Sequence, residues 1–454
     1  MRIDRLTVTN FKGFEERTFE FPRSLDAPPG GSGSFHLIIG QNGRGKTSAL
    51  DALAVAAGSW FLGVRGAESR LIRSSDVRVR VIQFGDTARL EQQLPVAVEA
   101  RGQVMGQAIR WEREFDGGGT NRKYARNVTA IAEHTVREMQ SGVPVTLPLI
   151  SYYGTGRLWQ APKDTSSIET DADAGHTKAD FGSDVDGGDL AEEFASRLAG
   201  YRHSIDPQCS PRELLRWLKF EQQLSGLERK ESSQFKLVKE AIRMAVEGCT
   251  RVEYDLRLGL LLDIEGQMRL PFGALSDGQR NIVAMIGDIA YKAAQLNPHL
   301  GVRALPETPG IVLIDEIDLH LHPLWQRHIV DDLRRIFPEI QFVATTHSPF
   351  IIQAMREGEL MPLDAQPVPE TANLSLEDIA SGLMGVEKPE VGSRYLEMVG
   401  AARHYLGELE QAPLMPEEKL APFKDRLAQS IAPYADNPAY QAFLEMNRIV
   451  AIGE

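Results

Sequence analysis

The residues best suited to chemistry form a glycine-rich stretch of the sequence GQNGRGKT, from Gly40 to Thr47. It matches the pattern G-x-x-x-x-G-K-[ST] at every fixed position, and loops of this pattern bind nucleotide phosphates through backbone N–H groups. We expect Lys46 to contact the β- and γ-phosphates of ATP and Thr47 to bind Mg²⁺. The residues predicted to contact the nucleotide here are Asn42, Gly43, Arg44, Gly45, Lys46, Thr47 and Ser48. The alternative is a glycine-rich turn that merely precedes an ordinary helix.

The elements needed to position such a loop flank it on both sides. The apolar run 35–39 predicts a buried strand that ends at Gly40, and apolar residues recur at helical spacing from Ala49 to Phe61. The sequence therefore predicts a strand, a phosphate loop and a helix in that order, which is the setting the motif requires.

A second candidate site element is an apolar run, 311–314, that ends in two carboxylates. Asp315 is placed to hold Mg²⁺, and Glu316 is placed to activate the attacking water as a general base. The alternative is a strand end with two solubilising acids. The presence of a phosphate loop in the same chain favours the catalytic interpretation.

The segment Leu275 to Arg280 has a structural and a functional interpretation. Ser276 and Gln279 have the spacing of a capping box, which predicts a helix from this point through Ile289. A capped helix N-terminus beside Gly278 is also a favourable place for an anion.

Four segments carry a resemblance to a known family, the ABC-type ATPases of the SMC/RecF branch. Residues 275–279 resemble the LSGGQ signature, 341–349 the strand of the switch histidine, 317–320 the D-loop, and 6–14 the first strands of that branch. Within the branch, the segments 315–323 and 152–157 are similar to compact ATPases of anti-phage defence systems, most of all the PtuA ATPases of Septu and related retron systems. The resemblance implies an α/β fold: an ABC-type P-loop NTPase head, with a mixed sheet and flanking helices, a helical lobe insertion and a helical C-terminal region.

The resemblance also implies a site shared between two copies of the chain. ATP and Mg²⁺ would be held by the phosphate loop of one protomer and by the signature residues of another, and the chain would form a homodimer or a higher oligomer. His347 would contact the γ-phosphate as a catalytic residue together with Glu316, and Asp318 would couple the two sites. The signature residues implied in nucleotide binding are Ser276, Gly278 and Gln279.

The sequence departs from the family pattern at three places. Asp277 stands where glycine is commoner, and Arg44 lies inside the phosphate loop. The strand expected to end in a Mg²⁺-contacting glutamine ends in Tyr-Gly-Thr-Gly-Arg, where Arg157 or Gln160 is the candidate substitute.

Two further pairs of residues keep two interpretations. Lys12 and Phe14 either line the nucleotide or are turn and core residues. His320 and His322 either bind a metal or, as we favour, His322 starts the helix at Pro323.

Composition excludes some classes of protein. A net charge of −13 argues against non-specific DNA coating as the main activity, and the cluster Arg122, Lys123 and Arg126 is either a solvated face or a phosphate contact. The two cysteines, Cys209 and Cys249, are not in a paired spacing. With neither a secretory leader nor an apolar run of membrane length, we expect a cytoplasmic protein without a membrane partner.

The chain is expected to divide into five segments. Strands are predicted in 2–21, 94–100, 108–115, 145–151 and 250–272, and helices in 190–248, 323–336, 395–409 and from Asn437 onward. The predicted segments are ATPase lobe I with its β-subdomain (1–160), a mobile acidic loop (161–189), a helical lobe (190–249), ATPase lobe II (250–355) and a helical C-terminal region (356–454).

Two functions compete most closely. The first is the sensor or regulatory ATPase of a bacterial defence complex, which would control a separate effector nuclease of the HNH type and, in retron systems, accompany a reverse transcriptase and ncDNA. A nuclease within residues 360–454 is not expected, because they contain no D-x-D pair. The alternative is a RecF-like DNA-binding clamp or repair ATPase. A non-catalytic scaffold is disfavoured by Glu316, and a transporter subunit by the segments 6–14 and 317–320.

Overall fold

The computed structural model describes residues 1–23, 33–84, 87–156, 194–207, 212–266, 269–364, 374–386, 388, 391–409, 443–444, 446 and 449. The chain divides into two compact units, Met1–Ile379 and Ala380–Glu454. The strands are β1 (Arg2–Phe11), β2 (Phe14–Glu20), β3 (Ser34–Ile39), β4 (Val79–Phe84), β5 (Thr87–Gln92), β6 (Val96–Val104), β7 (Gln107–Phe115), β8 (Thr120–Asn121), β9 (Leu149–Tyr153), β10 (Cys249–Asp255), β11 (Gly259–Ile264), β12 (Leu270–Pro271), β13 (Gly310–Ile314), β14 (Ile340–Thr345) and β15 (Leu360–Pro362). The α-helices are α1 (Lys46–Ala57), α2 (Arg126–Gln140), α3 (Arg212–Glu228), α4 (Ser233–Ala245), α5 (Asp277–Leu296), α6 (Ala304–Glu307), α7 (Pro323–Gln326), α8 (Ile329–Ile336), α9 (Pro349–Gln353), α10 (Leu376–Gly382) and α11 (Ser393–Leu409).

The site is built on a parallel sheet in the order β15-β3-β14-β13-β9. Strands β3, β13 and β14 are buried along their whole length, which explains why their sequences are mostly apolar. Because all five strands run the same way, their carboxyl ends lie at one edge of the sheet. The loops that follow β3, β13 and β14 therefore meet there.

A second sheet, antiparallel and ordered β2-β1-β6-β7-β8, covers the other side of α1. The Trp111 side chain of β7 donates to the Ala56 carbonyl at 2.9 Å and fixes the end of α1 against this sheet. The Gln341 side chain exchanges two hydrogen bonds, of 2.9 and 2.7 Å, with the backbone of Ile3 and ties the two sheets together. The helix that begins at the phosphate loop is thus held between two sheets.

The predicted helical lobe and the segment after it contain packed helices and a small sheet. In the described part, helices α3, α4 and α5 pack through Trp217, Phe235 and Tyr291, and β10, β11 and β12 form a small antiparallel sheet beside them. The predicted α/β fold, with mixed sheet types and flanking helices, is confirmed. Among the described residues, no helix has both the length and the apolarity to cross a membrane.

Two predicted strands are wrong in their bounds. The strand predicted at 145–151 begins at Leu149, because the backbone of Leu147 pairs with the Asn297 side chain at 2.7 and 3.0 Å and Pro148 has no N–H to donate. The alternation across 252–260 is broken by a turn, in which the Asp255 carboxylate accepts from the N–H groups of residues 257 and 258 at 2.8 and 2.9 Å.

Other differences concern helices and boundaries. The helix predicted to run to Ile289 continues to Leu296, since its second half is buried on every face and shows no amphipathic pattern. The helix predicted over 323–336 is two helices, α7 and α8. Strand β15 lies beyond residue 355, so the parallel sheet extends past the boundary placed there. The hairpin β4–β5 and helix α2 were not predicted.

Some predicted features lie outside the described residues. They are the acidic loop at 161–189, Arg157, Gln160, and the helix from Asn437, of which only residues 443–444, 446 and 449 are described.

Candidate functional site

The phosphate loop follows β3 and ends where α1 begins. Gly45 adopts a left-handed conformation with φ of 97° immediately before Lys46, and a Cβ atom at this position would lie 2.7 Å from Cζ of Phe14. Two features therefore require glycine at position 45: its left-handed backbone conformation and the Phe14 ring packed against it. Phe14, which the sequence left between two interpretations, lies against the loop.

Lys46 reaches back across the loop rather than outward into solvent. Its ammonium donates to the carbonyl of Gly40 at 2.7 Å and to that of Gln41 at 3.4 Å, and its residue is 8% exposed. Burial lowers the pKa of Lys46, while the carboxylates around it act in the opposite direction. The four carboxylates are Asp315, Glu316, Asp318 and Asp364. A cation in this position is available to neutralise a phosphate bound in the loop.

The two residues predicted to bind Mg²⁺ lie together. The Thr47 hydroxyl, in the first turn of α1, donates to Oδ2 of Asp315 at 2.9 Å. Asp315 follows β13 directly and is 4% exposed. A hydroxyl and a carboxylate are the hard oxygen ligands that Mg²⁺ prefers, and a site with few protein ligands suits an ion that keeps several waters. The residues present therefore fit this metal.

Thr345, at the end of β14, joins Asp315 to Glu316. Its hydroxyl donates to Oδ1 of Asp315 at 2.6 Å and accepts the Glu316 N–H at 2.8 Å. Glu316 has a φ of 48°, in the left-handed region that non-glycine residues seldom occupy. The backbone of Thr345 also accepts from Ile317 N–H at 2.9 Å. One threonine thus holds both the carboxylate of Asp315 and the backbone of Glu316.

The loop that contains Asp318 is bound to the segment that carries His347. Oδ1 of Asp318 accepts from the Thr346 hydroxyl at 2.5 Å and from the His347 N–H at 3.3 Å. His347 itself is half-buried. These contacts bring together Asp318, which is predicted to couple the two sites, and His347, which is predicted to contact the γ-phosphate.

The predicted capping box is present at the start of α5. The Ser276 hydroxyl accepts the Gln279 N–H at 3.3 Å, and the Gln279 side chain accepts the Ser276 N–H at 3.0 Å. Asp277, which departs from the family pattern, pairs with Arg280 one turn later. Ser276 is exposed.

The start of α5 is anchored on the loop that contains Asp318. Gly278 is so close to this loop that a Cβ atom would lie 2.6 Å from the His320 carbonyl oxygen. The Asn281 side chain donates to the Leu319 carbonyl at 2.9 Å. The start of α5 and the loop of Asp318 are therefore in direct contact.

The remaining loop residues face outward. Arg44 is exposed and pairs with Asp364 at 3.2 Å, and Asp364 also accepts the Gln41 N–H at 3.3 Å. Asn42 and Gly43 are exposed and Ser48 is half-buried. Their predicted nucleotide contacts stay predictions.

Lys12 belongs to a largely buried ion-pair cluster beside α1. Its ammonium pairs with Asp51 on α1 and lies 3.7 Å from Asp76, which in turn pairs with Arg70 at 3.1 Å. The cluster holds the turn between β1 and β2 against α1. This contact agrees with the interpretation of Lys12 as a turn residue.

The end of β9 lies beside the end of β13. The Asp315 N–H donates to the Tyr153 carbonyl at 2.8 Å. Behind this contact, the Tyr153 hydroxyl donates to Asp288 at 2.7 Å, and Asp288 forms a buried ion pair with Lys292 at 2.7 Å. Helix α5, which starts at the signature segment, is thereby connected to the strand that flanks the carboxylates.

His322 caps α7, where its ring nitrogen accepts the Leu324 N–H at 3.3 Å. This is the helix-start role that we favoured for His322 from the sequence. No group of three or more metal-ligating side chains occurs within the described ranges.

Sequence reasoning missed the polar residues that connect these parts. Four of them touch predicted site residues: Thr345 and Thr346, which lie inside the matched segment 341–349 but had no assigned role, and Asn281 and Asp364, which lie outside the matched segments. A usable signal exists for the threonines, since two adjacent hydroxyl residues end an otherwise apolar strand immediately before His347.

Two models of known protein families match this chain. A family model described as an AAA domain matches residues 5–247, which is more than half of the chain. A second AAA domain model, whose description names a type IV toxin–antitoxin system, matches residues 150–353. Family membership supports the prediction of an ATPase and implies use of a nucleotide.

Curated relatives match shorter stretches. A stretch of 92 residues is 50% identical to the Retron Ec83 probable ATPase of Escherichia coli and covers 20% of this chain and 16% of that protein. A stretch of 89 residues is 43% identical to the Septu protein PtuA of Bacillus mycoides (strain KBAB4) and covers 20% of this chain and 12% of that protein. The chain spans less than a third of the length of the curated relatives it matches. The resemblance to Septu and retron ATPases is confirmed.

Among solved structures, an SMC head bound to the C-winged helix domain of ScpA aligns with a TM-score of 0.43 at 15% identity. The alignment covers 82% of this chain and 96% of that chain.

Proposed function

Because the chain belongs to the AAA domain family, we propose that it binds ATP with Mg²⁺ and hydrolyses it at a site shared between two copies. The observation that carries the proposal is the hydrogen-bonded group of Thr47, Asp315, Thr345 and Glu316 at the end of the parallel sheet. It unites a metal-binding pair with a candidate general base, directly beside the phosphate loop.

Each residue has a distinct role in this proposal. Lys46 and the N–H groups of the loop bind the β- and γ-phosphates, and Thr47 and Asp315 hold the metal. Bound Mg²⁺ would neutralise charge on the phosphate oxygens. Glu316 would accept the proton of the attacking water, since it directly follows the proposed metal ligand Asp315 in the sequence.

The signature segment supports a shared site. The hydrogen bonds of Ser276 and Gln279 join them to each other, and Ser276 is exposed. An exposed, capped helix N-terminus has N–H groups and a partial positive charge available for an anion from outside the protomer. We propose that Ser276, Gly278 and Gln279 complete the nucleotide site of a second copy, with His347 at its γ-phosphate and Asp318 between the two sites.

A direct test is phosphate release with saturating ATP, in Mg²⁺ and in excess EDTA. Turnover should require Mg²⁺ and should fall at least about 100-fold in Lys46→Ala, since this change removes the buried loop cation that we place at the β- and γ-phosphates. Lys230→Ala is the matched control, because it removes an exposed lysine outside the site. Turnover in Lys46→Ala equal to that of the wild type would refute the proposed site.

We further propose that the ATPase is the sensor or regulatory subunit of an anti-phage defence complex. The names of the retron and Septu relatives support this assignment. In this proposal a separate effector nuclease, for which we favour the HNH type, is released or activated when the ATP state of the assembly changes. Retron systems would add a reverse transcriptase and its ncDNA.

Co-purification tests this assignment. The tagged chain should retain a nuclease encoded beside it, and the pair should protect cells against phage, whereas a pair with Lys46→Ala should not. If no neighbouring nuclease is retained and the wild-type pair does not protect cells, the defence role is refuted while the ATPase measurement stands separately.

A RecF-like DNA clamp remains the second candidate because of one surface. Arg122, Lys123 and Arg126 are exposed beside the exposed ring of Tyr124, over which the Lys123 ammonium lies 5.3 Å from the centroid. Cations next to an aromatic ring suit a nucleic-acid backbone and its bases. This function predicts ATP-dependent duplex binding that weakens with salt and is lost when the three cations are replaced by alanine.

A further inference from the structure

The Thr345 side chain has a bonding arrangement that fixes the direction of both of its hydrogen bonds. A backbone N–H can only donate, so the hydroxyl must accept from Glu316 at 2.8 Å and must give its one proton to Asp315 at 2.6 Å. Thr345 is 0% exposed, so water does not compete for these bonds. One hydroxyl therefore connects the metal-binding carboxylate to the backbone of the candidate general base.

Glu316, whose N–H binds this hydroxyl, has an unfavourable backbone conformation. The backbone of Glu316 has a φ of 48°. Residues other than glycine occupy that region only when the surrounding structure imposes it. The Glu316 N–H is fixed by the Thr345 hydroxyl, and its carbonyl accepts the Leu319 N–H at 2.9 Å. The Thr345 carbonyl fixes the next N–H, that of Ile317, at 2.9 Å.

From this arrangement we infer that Thr345 is a positioning residue for hydrolysis, which sets the Asp315 carboxylate toward the metal and holds the Glu316 turn toward the water. The inference rests on the proposed ATPase function. Thr345 acts through its neighbours and is not itself expected to touch the nucleotide.

A purely structural role for Thr345 can be tested with a second buried threonine. A buried threonine can satisfy its hydroxyl with a nearby carbonyl, as Thr135 does in α2, where it donates to the Ile131 carbonyl at 2.8 Å. Thr135 is 3% exposed and lies outside the site. Thr135→Val therefore measures the loss of a buried hydroxyl alone, and Thr345→Val measures that loss together with the loss of positioning.

The experiment compares Thr345→Val, Thr345→Ser and Thr135→Val with the wild type. It measures kcat, the KM for ATP, the Mg²⁺ concentration for half-maximal activation and the melting temperature. In Thr345→Val we expect the Mg²⁺ requirement to rise roughly 10-fold or more, as when an outer-shell partner of a metal ligand is removed. We expect kcat to fall about 10–100-fold through the misplaced general base.

The controls separate positioning from packing. Thr345→Ser retains the hydroxyl and should restore the Mg²⁺ requirement and kcat to within about 5-fold of the wild type, whereas Thr135→Val should change neither. Nucleotide binding without metal should be the same in all variants, since Lys46 and the loop are unchanged. If Thr345→Val does not fold, Thr345→Ala replaces it and is judged against Thr345→Ser in the same way.

The outcomes distinguish this inference from the proposed function. An active wild type with normal kcat and normal Mg²⁺ requirement in folded Thr345→Val would overturn the inference and leave the ATPase standing. If the wild type does not hydrolyse ATP, the proposed function fails, and calorimetry of ATP binding in the presence and absence of Mg²⁺ then decides about Thr345. In that case an equal gain from Mg²⁺ in wild type and Thr345→Val would overturn the inference.

Discussion

The contact between Gly278 and the His320 carbonyl makes a sharp prediction about the signature segment. In Gly278→Ala the new Cβ atom would lie 2.6 Å from that carbonyl oxygen, whereas ordinary van der Waals contact begins at 3.4 Å. The start of α5 or the loop of His320 must therefore move by about 0.8 Å. A backbone carbonyl cannot rotate away as a flexible side chain can.

The expected magnitudes follow from this displacement. Replacing a helical glycine by alanine ordinarily stabilises a helix by up to about 1 kcal/mol, so any loss of stability must come from the close contact. We expect a net loss of about 1–3 kcal/mol in unfolding free energy, typical of an overpacked site. A shift approaching 1 Å in a group that positions a reacting centre costs up to roughly 100-fold in rate, and we expect kcat to fall about 10–100-fold.

The assay is steady-state phosphate release, accompanied by binding of a fluorescent ATP analogue and by thermal unfolding. Nucleotide binding by the protomer should be unchanged, because Lys46, Thr47 and Asp315 are not displaced. Gly273→Ala is the matched control, since Gly273 lies just before the signature segment and no atom lies within 4 Å of a Cβ at that position. Wild-type kcat in Gly278→Ala would refute the anchoring of the signature segment on the loop of Asp318.

Three further predictions use other contacts. Glu316→Gln should slow hydrolysis about 100–10,000-fold while leaving ATP binding intact, so that light scattering detects an ATP-dependent dimer that persists; no dimer in this variant would contradict the shared site. Lys292→Met should cost about 3–5 kcal/mol in urea unfolding because it leaves Asp288 buried without its cation, and a loss under 1 kcal/mol would contradict the importance of that pair. Burial lowers the pKa of His36 from 6.5 to about 3, so on acidification the unfolded chain takes up a proton at this residue before the native state does. As pH falls from 6.5 toward 3, the unfolding free energy of the wild type should therefore drop by roughly 1 kcal/mol per pH unit relative to that of His36→Gln. Parallel curves of unfolding free energy against pH would contradict this prediction.

The parts of the site that the sequence predicted are those encoded by short stretches. The glycines and Lys46 of the phosphate loop, the apolar run before Asp315 and the capping box of Ser276 each lie within about ten residues, and local pattern is sufficient to recognise them. Strands β3 and β13 could be predicted for the same reason, because each contains a short, mostly apolar run that ends at a site residue.

What the sequence did not predict depends on contacts between distant segments. Thr345 meets Asp315 across 30 residues, and Asp364 reaches the phosphate loop from beyond β15. A hydroxyl or carboxylate at a strand end has no periodic signal that identifies its partner. The bounds of β9 failed similarly, because the side chain of Asn297, far along the chain, binds the backbone of Leu147.

The central claim, a nucleotide site completed by a second copy, is tested most directly by mixing two inactive variants. Lys46→Ala removes the phosphate-binding cation, and Ser276→Arg places a large side chain at an exposed signature position. In a head-to-tail dimer, each mixed pair has one site with neither change. An equal mixture of the two variants should therefore regain about a quarter of the wild-type rate, since half of the dimers are mixed and each has one intact site. A mixture no more active than either variant alone would contradict the shared site.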